Sequence, residues 1–231
     1  MKHEELLRLL QIADSALPIG GAAHSFGLES LVDAGFLDAD NLEDFLRDYL
    51  DEVGAIEASY CAASSLLAGT SFDDEALAVW IGWNMELGAR KLARESREGS
   101  AAMGRRLLLL AANVSNLTWV KRAAEYAAEN SAHFHLATAF GLATGAMQID
   151  SKTAATAYLQ QSVTTLIYGA QRLMPLGQAR AHEILWDLKP AILKAVEHGT
   201  SKAARQLGSF TPLLDLASAR HATLHTRLFM S

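Results

Sequence analysis

The chain has 231 residues, half of them hydrophobic and a fifth charged, which excludes a disordered protein and suits one large domain. Its formal net charge is −6, with 16 Asp/Glu against 3 Lys/Arg in residues 1–80 and 10 against 17 in residues 81–231. This is not the strong basic excess of a nucleic-acid-binding protein. The acidic front and the basic back either neutralise each other within the fold or face partners of opposite charge.

The chain has one cysteine, Cys61, so a disulfide within the chain is excluded and secretion is not indicated. The N-terminus is too acidic and not apolar enough for a signal peptide. No run of about 18 apolar residues predicts a membrane span. We therefore expect a cytoplasmic protein.

Abundant alanine and leucine and only 4 prolines favour helix over strand. Apolar periodicity predicts helices over residues 4–13 and about 25–34, separated by a break at Pro18-Ile19-Gly20-Gly21. The strongest amphipathic pattern follows Asp40, which we expect to cap a helix with Glu43 as its capping-box partner; this helix runs to about residue 68.

The rest of the chain also shows helical patterns. Helices are predicted over residues 74–94, about 100–128, 132–147, from Asp150 or Ser151 to about 173, from about 177 to 197 (closed by Gly199), and from Thr211-Pro212 to about 227. No segment alternates with the period of a strand. The sequence therefore predicts an all-α, single-domain bundle of roughly nine to ten helices over residues 1–231.

The sequence contains only weak candidates for phosphate-binding and metal-binding motifs. Gly99 and Gly104 have the glycine spacing of a phosphate-binding loop, but the lysine and the Ser/Thr of that motif are missing. The histidines form two close pairs, and the second pair shares a helix face if the last helix continues; the pairs are His133 with His135 and His221 with His225. Structural or surface histidines are the simpler interpretation. A helical metal-binding protein or a metal-dependent hydrolase that uses these four residues stays open as the alternative.

The C-terminal segment carries apolar residues in an unusual place. Leu228, Phe229 and Met230 must either pack on the chain's own core or be covered by a partner. Arg220 and Arg227, seven residues apart, share a face of the predicted last helix.

Four segments together resemble the family of the urease accessory protein UreF. They are Ala16-Leu-Pro-Ile-Gly-Gly21 with Ser25-Phe-Gly-Leu-Glu29; Glu95-Ser-Arg97 with Met103-Gly104-Arg105; Arg172-Leu-Met-Pro-Leu-Gly-Gln178; and Ser218-x-Arg220-His221 with Thr226-Arg-Leu-Phe-Met-Ser231. They occur in the family's order and span nearly the whole chain.

The resemblance implies an all-helical protein without enzymatic activity of its own. UreF-like proteins bridge a UreD/UreH-like accessory protein and the GTPase UreG, and together they deliver nickel to the urease apoprotein in a GTP-dependent step. The resemblance also implies a homodimer and a role in regulating the GTPase. No cofactor is expected in the chain itself, because GTP is bound by the partner and nickel passes through the complex. Neither nucleic acid nor membrane is an expected partner.

The resemblance leads to two site hypotheses. Residues 211–231 are expected to form a C-terminal helix and tail that dock the UreD/UreH-like partner, with Arg220, His221, Arg227, Leu228, Phe229 and Met230 in contact. The bend formed by Arg172, Pro175, Leu176, Gly177 and Gln178 is expected at or beside the surface that faces the GTPase, although it could equally be a simple connection between two core helices. The N-terminal helix within residues 1–15 is one that a partner could order.

Overall fold

The computed structural model describes residues 2–70, 73–114, 117–130, 132–201 and 206–230. These residues contain α-helices and turns and no strand, so the all-α prediction is confirmed. The α-helices are α1 His3–Ile12, α2 Leu28–Asp33, α3 Leu42–Tyr49, α4 Ala55–Ala68, α5 Asp74–Arg90, α6 Arg94–Val114, α7 Thr118–Asn130, α8 Leu136–Ala146, α9 Ser151–Leu173, α10 Gln178–Asp187, α11 Lys189–Ser201 and α12 Pro212–Arg220.

A π-helical turn, Leu50–Gly54, joins α3 to α4 and makes them one continuous helix. This helix reaches Ala68, as its apolar periodicity predicts. The predicted cap is wrong by one residue: Asn41, not Asp40, occupies the N-cap position of α3. The Asn41 side chain accepts a hydrogen bond from the backbone N–H of Asp38, 3.0 Å away, and so braces the turn that leads into the helix.

The core is centred on α4 and α8, which cross at very short distance. Gly141 and Gly145 of α8 lie directly against the backbone carbonyls of Cys61 and Ser65 of α4, where a Cβ atom would collide with the carbonyl oxygens. Every residue of α8 from Ala137 to Ala146 is buried. Small residues therefore let the two backbones approach, and the longer helices pack around this pair.

Two predicted helices are each divided. The helix expected over about 100–128 is α6 and α7, and the one expected over about 177–197 is α10 and α11, which meet at Leu188. Gly199 does not close α11 but lies inside it, against the carbonyl oxygen of Ala55, so its role is close packing. The last helix starts at Pro212 as predicted but ends at Arg220 rather than near residue 227.

The glycines of the apparent phosphate loop lie inside α6. Gly104 packs against the backbone carbonyl of Phe134, and Gly99 packs against the ring of His24. Both positions need a small residue for contact between segments. The helix-packing interpretation is therefore the one the structure supports.

The N-terminal helix α1 packs on the bundle through Leu9 and Ile12, while Leu7 and Leu10 are exposed. A dependence of α1 on a partner stays a prediction. Among the described residues, no helix combines the length and the apolar character needed to cross a membrane.

Candidate functional site

The loop between α1 and α2 is held by two arginines from distant helices. Gly20 has φ +91° and starts the 3₁₀ turn Gly21–Ala23. Arg106 of α6 donates to the carbonyl oxygen of Ile19 at 3.1 Å, and Arg172 of α9 donates to that of Ala22 at 2.7 Å. A side chain at Gly20 would collide with the Arg106 guanidinium. Glycine is therefore required at this position both by the positive φ and by the close contact with Arg106.

Glu29, on α2, is a buried carboxylate that binds the C-terminal tail, which we define as residues 224–230. Its Oε1 accepts the backbone N–H of Leu228 at 2.6 Å, and its Oε2 accepts that of Phe229 at 3.1 Å. Burial alone raises the pKa of this carboxyl. The N–H of Leu228, the His221 ring and the N–H of Phe229 outweigh burial and hold the pKa below its ordinary value, so Glu29 stays ionised.

His221 lies between two carboxylates. Its Nε2 is 2.9 Å from Glu29 Oε2 and its Nδ1 is 2.7 Å from Glu95 Oε2 on α6. The His221 ring is fully buried. Arg227 donates to the other oxygen of Glu95 at 3.0 Å, so α2, α6, the turn after α12 and the tail all meet at these charged groups.

Phe229 anchors the tail in the apolar interior. Its ring is buried against Gly169 and lies under the Arg172 guanidinium, 4.3 Å from the ring centroid. One residue further, Met230 donates its backbone N–H to the carbonyl oxygen of Ala23 at 2.7 Å. The tail thus closes over the same loop that Arg172 holds.

We call Glu29, Glu95, Arg172 and His221 the tail clasp. These residues come from the four sequence segments that carried the family resemblance, and in three dimensions the segments converge on one place. The residues between them in the chain are mainly the core helices.

The predicted partner-binding residues of the C-terminus divide into two groups. His221 and Phe229 are buried within the chain's own fold, so in this conformation they hold the tail instead of facing outward. Arg220, Arg227, Leu228 and Met230 are exposed, with Leu228 52% and Met230 67% accessible. Partner binding by this segment stays a prediction, and only the second group is available for direct contact.

The α9–α10 bend divides in the same way. Leu176 is buried, whereas Pro175, Gly177 and Gln178 are exposed. Gly177 is the N-cap of α10 with ordinary extended angles, φ −68° and ψ 154°. Arg172 is exposed, and its guanidinium is bonded to the loop and stacked on Phe229. Its contacts join the bend to the tail clasp.

The histidine pairs do not form the geometry expected of metal ligands. Because α12 ends at Arg220, His221 and His225 do not share a face of one long helix. His221 has both ring nitrogens against carboxylates, while His225 is exposed. Within the described ranges, no three His, Cys, Asp or Glu side chains are grouped so that they could hold a metal ion.

The other histidine pair is also separated by its environment. His133 is exposed and His135 is buried, with an Nδ1 that has no hydrogen-bond partner among the described residues. Burial, followed by the charges of Lys91, His133 and Arg97, lowers the pKa of His135 to about 3. His135 is therefore a neutral core histidine.

A cavity of about 130 Å³ lies between α4, α6 and α9. Glu57 lines it and is ion-paired with Lys91, and the hydroxyl of Tyr158 donates to Glu57 at 2.7 Å. Burial, followed by the nearby charge of Glu57, raises the pKa of the Tyr158 phenol, which keeps it a hydrogen-bond donor. Lys91 and Tyr158 thus occupy both carboxylate oxygens of Glu57, as expected of a network with a structural role.

Sequence reasoning did not assign a role to Glu29 or Glu95, although both lie in the quoted segments. One available signal was the position of Glu29 at the end of Phe26-Gly-Leu-Glu29, next to apolar residues expected in the core. A carboxylate in such a place is expected to be paired if it is buried. Its partner His221 is 192 residues away, and no local pattern joins the two.

Comparison with known proteins agrees with these observations. The sequence model of the UreF family matches residues 37–189. A urease accessory protein UreF of Nostoc sp. is 34% identical over 232 residues, covering 100% of this chain and 98% of the relative. UreF proteins of Cupriavidus pinatubonensis and Actinobacillus pleuropneumoniae are 33% and 30% identical and cover 98% of this chain, and 98% and 99% of their own lengths. The chain therefore belongs to the UreF family of urease accessory proteins.

Proposed function

We propose that this chain is a scaffold for urease maturation in the cytoplasm. It joins a UreD/UreH-like accessory protein to a UreG-like GTPase, so that nickel is inserted into the urease apoprotein in a GTP-dependent step. In this proposal the chain also regulates the GTPase and acts as a homodimer. GTP is bound by the GTPase and nickel passes through the assembly, so the chain needs no catalytic residue or cofactor of its own.

The observation that carries the proposal is the arrangement of the tail. Its backbone is fixed to Glu29 and to Ala23, while the side chains of Leu228 and Met230 are directed outward. Because the backbone that carries these apolar side chains is already fixed, a partner that covers them has only their rotamers to order, which favours tight binding.

The neighbouring helix adds to this apolar surface. Leu213 and Leu216 of α12 are 50% and 64% exposed, and α12 packs on α2, the helix that carries Glu29. The basic side chains of Arg220 and Arg227 lie on the same two elements, α12 and the tail. This combination suits a protein partner with an apolar patch and an acidic rim.

The second proposed surface is the α9–α10 bend. Pro175, Gly177 and Gln178 are exposed on a short connection whose ends are fixed by helices, a suitable position for a GTPase contact. Gln178 offers an amide for hydrogen bonding, and the exposed Arg172, bonded to the carbonyl oxygen of Ala22, supplies positive charge beside the bend.

A double substitution, Leu228→Ser with Met230→Ser, tests the first surface. Both side chains are exposed, so the change is expected to leave the free energy of unfolding within about 0.5 kcal/mol. Binding of the UreD/UreH-like partner, measured by calorimetry, is expected to weaken at least about tenfold. Deleting residues 221–231 is a less suitable test, because it removes three hydrogen-bond donors from the buried Glu29.

The matched control is Leu193→Ser on α11, where the leucine is 58% exposed outside the proposed surface. This variant should bind the partner like the wild type. Equal affinity of the double variant and the wild type would overturn the docking proposal for the tail. For the bend, Gln178→Ala should weaken UreG binding and urease activation, while the exposed Gln11→Ala on α1 should not.

A further inference from the structure

We propose that the cavity between α4, α6 and α9 is a binding site for a small uncharged carboxamide with a compact apolar body. In this site the amide N–H donates to the side chain of Gln161, and the amide oxygen accepts from the hydroxyl of Ser100. The walls, the polar atoms and the charges of the cavity support this assignment. None of the residues that line it belongs to the two proposed docking surfaces.

The cavity is large enough for a small organic molecule. Its volume of about 130 Å³ is close to the roughly 150 Å³ of an engineered apolar cavity that binds benzene. Its walls are mainly apolar and come from segments far apart in the chain; they include Ile19, Phe26, Val53, Ile56, Met103 and Leu166. Leu92 and Ser209, which are exposed, also line the cavity and give access from solvent. A compact apolar body about as large as a benzene ring therefore suits this space.

Gln161 provides a buried acceptor that lacks a donor. It lies on α9, lines the cavity and is only 7% exposed. Its Nε2 donates to the carbonyl oxygen of Asp14 at 3.2 Å. Because a carbonyl oxygen can only accept, this bond fixes which end of the side-chain amide is the nitrogen. The Oε1 atom is buried and has no hydrogen-bond partner among the described residues. Such an acceptor needs a donor, and the cavity is the space from which one can come.

Ser100 offers the complementary group, a donor. Its Oγ accepts the backbone N–H of Leu136 at 3.3 Å, and within the described part of the chain this hydroxyl forms no other hydrogen bond. The hydroxyl proton is therefore available to donate. Ser100 is 4% exposed and lines the same cavity from α6, so a donor and an acceptor belong to two different walls. A primary carboxamide carries both N–H donors and a carbonyl acceptor on one planar group, and it can serve Gln161 and Ser100 together.

The charges on the lining favour an uncharged ligand. The charged lining residues are two carboxylates and two cations, namely Glu57, Asp215, Arg90 and Lys91. Both oxygens of Glu57 are already occupied, by Lys91 and by the hydroxyl of Tyr158. An ion of either sign would lose its hydration here without meeting an excess of opposite charge, which is costly. A neutral amide avoids this cost, because its polar atoms are paired while its apolar part contacts the apolar walls.

Titration of the full-length, nitrogen-15-labelled protein with 2-methylpropanamide tests the site. A Kd on the order of 10 mM is expected for so small a ligand. The side-chain amide signals of Gln161 and the backbone N–H signal of Leu136 should shift with the same Kd, whereas the amides of α10 should not shift. The matched ligand is 3-methylbutan-2-one, which has the same shape but carries a methyl group in place of the NH2 group. Because it cannot donate to Gln161, it should bind more weakly, although it is the more hydrophobic of the two.

The discriminating variant is Gln161→Met, which keeps the length of the side chain and removes its amide. The preference for the amide over the ketone, expressed as the ratio of their Kd values, should fall at least about fivefold relative to the wild type. The matched control is Gln160→Met, which changes the neighbouring residue on α9, does not alter the lining of this cavity and should keep the wild-type ratio. A wild type that binds the ketone as tightly as the amide, or a Gln161→Met protein with the wild-type ratio, would overturn the proposal.

A measurement on the wild type alone protects the test against a variant that folds poorly. Nuclear Overhauser effects between the methyl groups of bound 2-methylpropanamide and those of the protein locate the ligand. Contacts with Ile56, Met103 and Leu166 are expected, because these side chains line the cavity. Contacts only with residues outside the cavity, or no binding at a ligand concentration of about 100 mM, would contradict the site and leave water as the donor to Gln161.

Discussion

Two contacts hold this fold together in opposite ways. The α4–α8 contact is made by glycines and backbone without charge, whereas the tail clasp is made by two carboxylates, an imidazole and a guanidinium, those of Glu29, Glu95, His221 and Arg172. The first contact has no group whose charge can change, and opening it would leave a void. The second is made by charged side chains that hold the backbone of the tail through hydrogen bonds. The molecule thus combines a centre held by close backbone packing with a tail held by polar contacts.

The largest effect is expected at the rigid centre, from Gly141→Ala. The added Cβ would collide with the carbonyl oxygen of Cys61, and backbone on both sides cannot move away easily. The free energy of unfolding should fall by about 3 kcal/mol or more, measured by urea denaturation. Gly82→Ala on α5, where a Cβ meets nothing within 4 Å, is the control and should be neutral or slightly stabilising. Similar losses in the two variants would show that the close approach of α4 and α8 is unimportant.

An effect of intermediate size is expected from acid, which should lower the stability of the core around His135 before it weakens the tail clasp. The folded protein keeps His135 neutral down to a pKa of about 3, whereas the unfolded chain takes up a proton there near 6.5. The unfolded state therefore binds more protons in this window, and stability falls with falling pH, by on the order of 3 kcal/mol between pH 6.5 and about pH 4. The clasp depends on Glu29, which is protonated only below 4.5, so the core should weaken first.

Urea denaturation at several pH values measures this slope. His135→Gln should flatten it, while His198→Gln, an exposed position on α11, should leave it unchanged. If the wild type keeps constant stability from pH 6.5 to about pH 4, a neutral buried His135 is wrong.

The smallest effect is expected for Arg227→Gln, in the tail, where the arginine donates to Glu95 of the clasp. The arginine side chain is 40% exposed, so its ion pair with Glu95 is screened by solvent. Its loss should lower the free energy that protects the Leu228 and Phe229 amides from hydrogen exchange by less than about 1 kcal/mol. Added salt should lower the same protection in the wild type by a similar amount. A loss as large as that of Gly141→Ala would mean that Arg227 holds the tail as firmly as packing holds the core.

The positions of most helices can be predicted from the spacing of apolar residues, because each helix buries one face. The continuous helix formed by α3 and α4 was predicted in this way to its end near residue 68. The points at which one predicted helix is in fact two helices were harder to predict. The α10–α11 junction at Leu188 has no glycine, and its one signal is Pro190, which is tolerated in the first turn of a helix. Gly199 was assigned to a helix end, although its missing side chain serves contact with α4. Local sequence does not distinguish these two uses of glycine.

The candidate site was predictable in its segments and not in its contacts. The resemblance selected stretches that contain Glu29, Glu95, Arg172 and His221, but which carboxylate meets the histidine depends on packing between residues more than 100 positions apart. The burial of Phe229 beside the exposed Leu228 and Met230 likewise depends on contacts with distant residues, namely Arg172 above its ring and Gly169 beside it. A pattern of apolar residues at a chain end indicates that they need cover, but not which of them the fold itself covers.

The π turn Leu50–Gly54 bears on how this family can change in length. A π turn holds one more residue than an α turn without rotating the helix beyond it. Removing one residue there would restore a regular helix and leave α3 and α4 facing as before, whereas a deletion elsewhere in the same helix would rotate one half by about 100°. Single-residue gaps between homologues should therefore be tolerated at this turn, and an alignment that places them inside α4 would assign the buried positions wrongly.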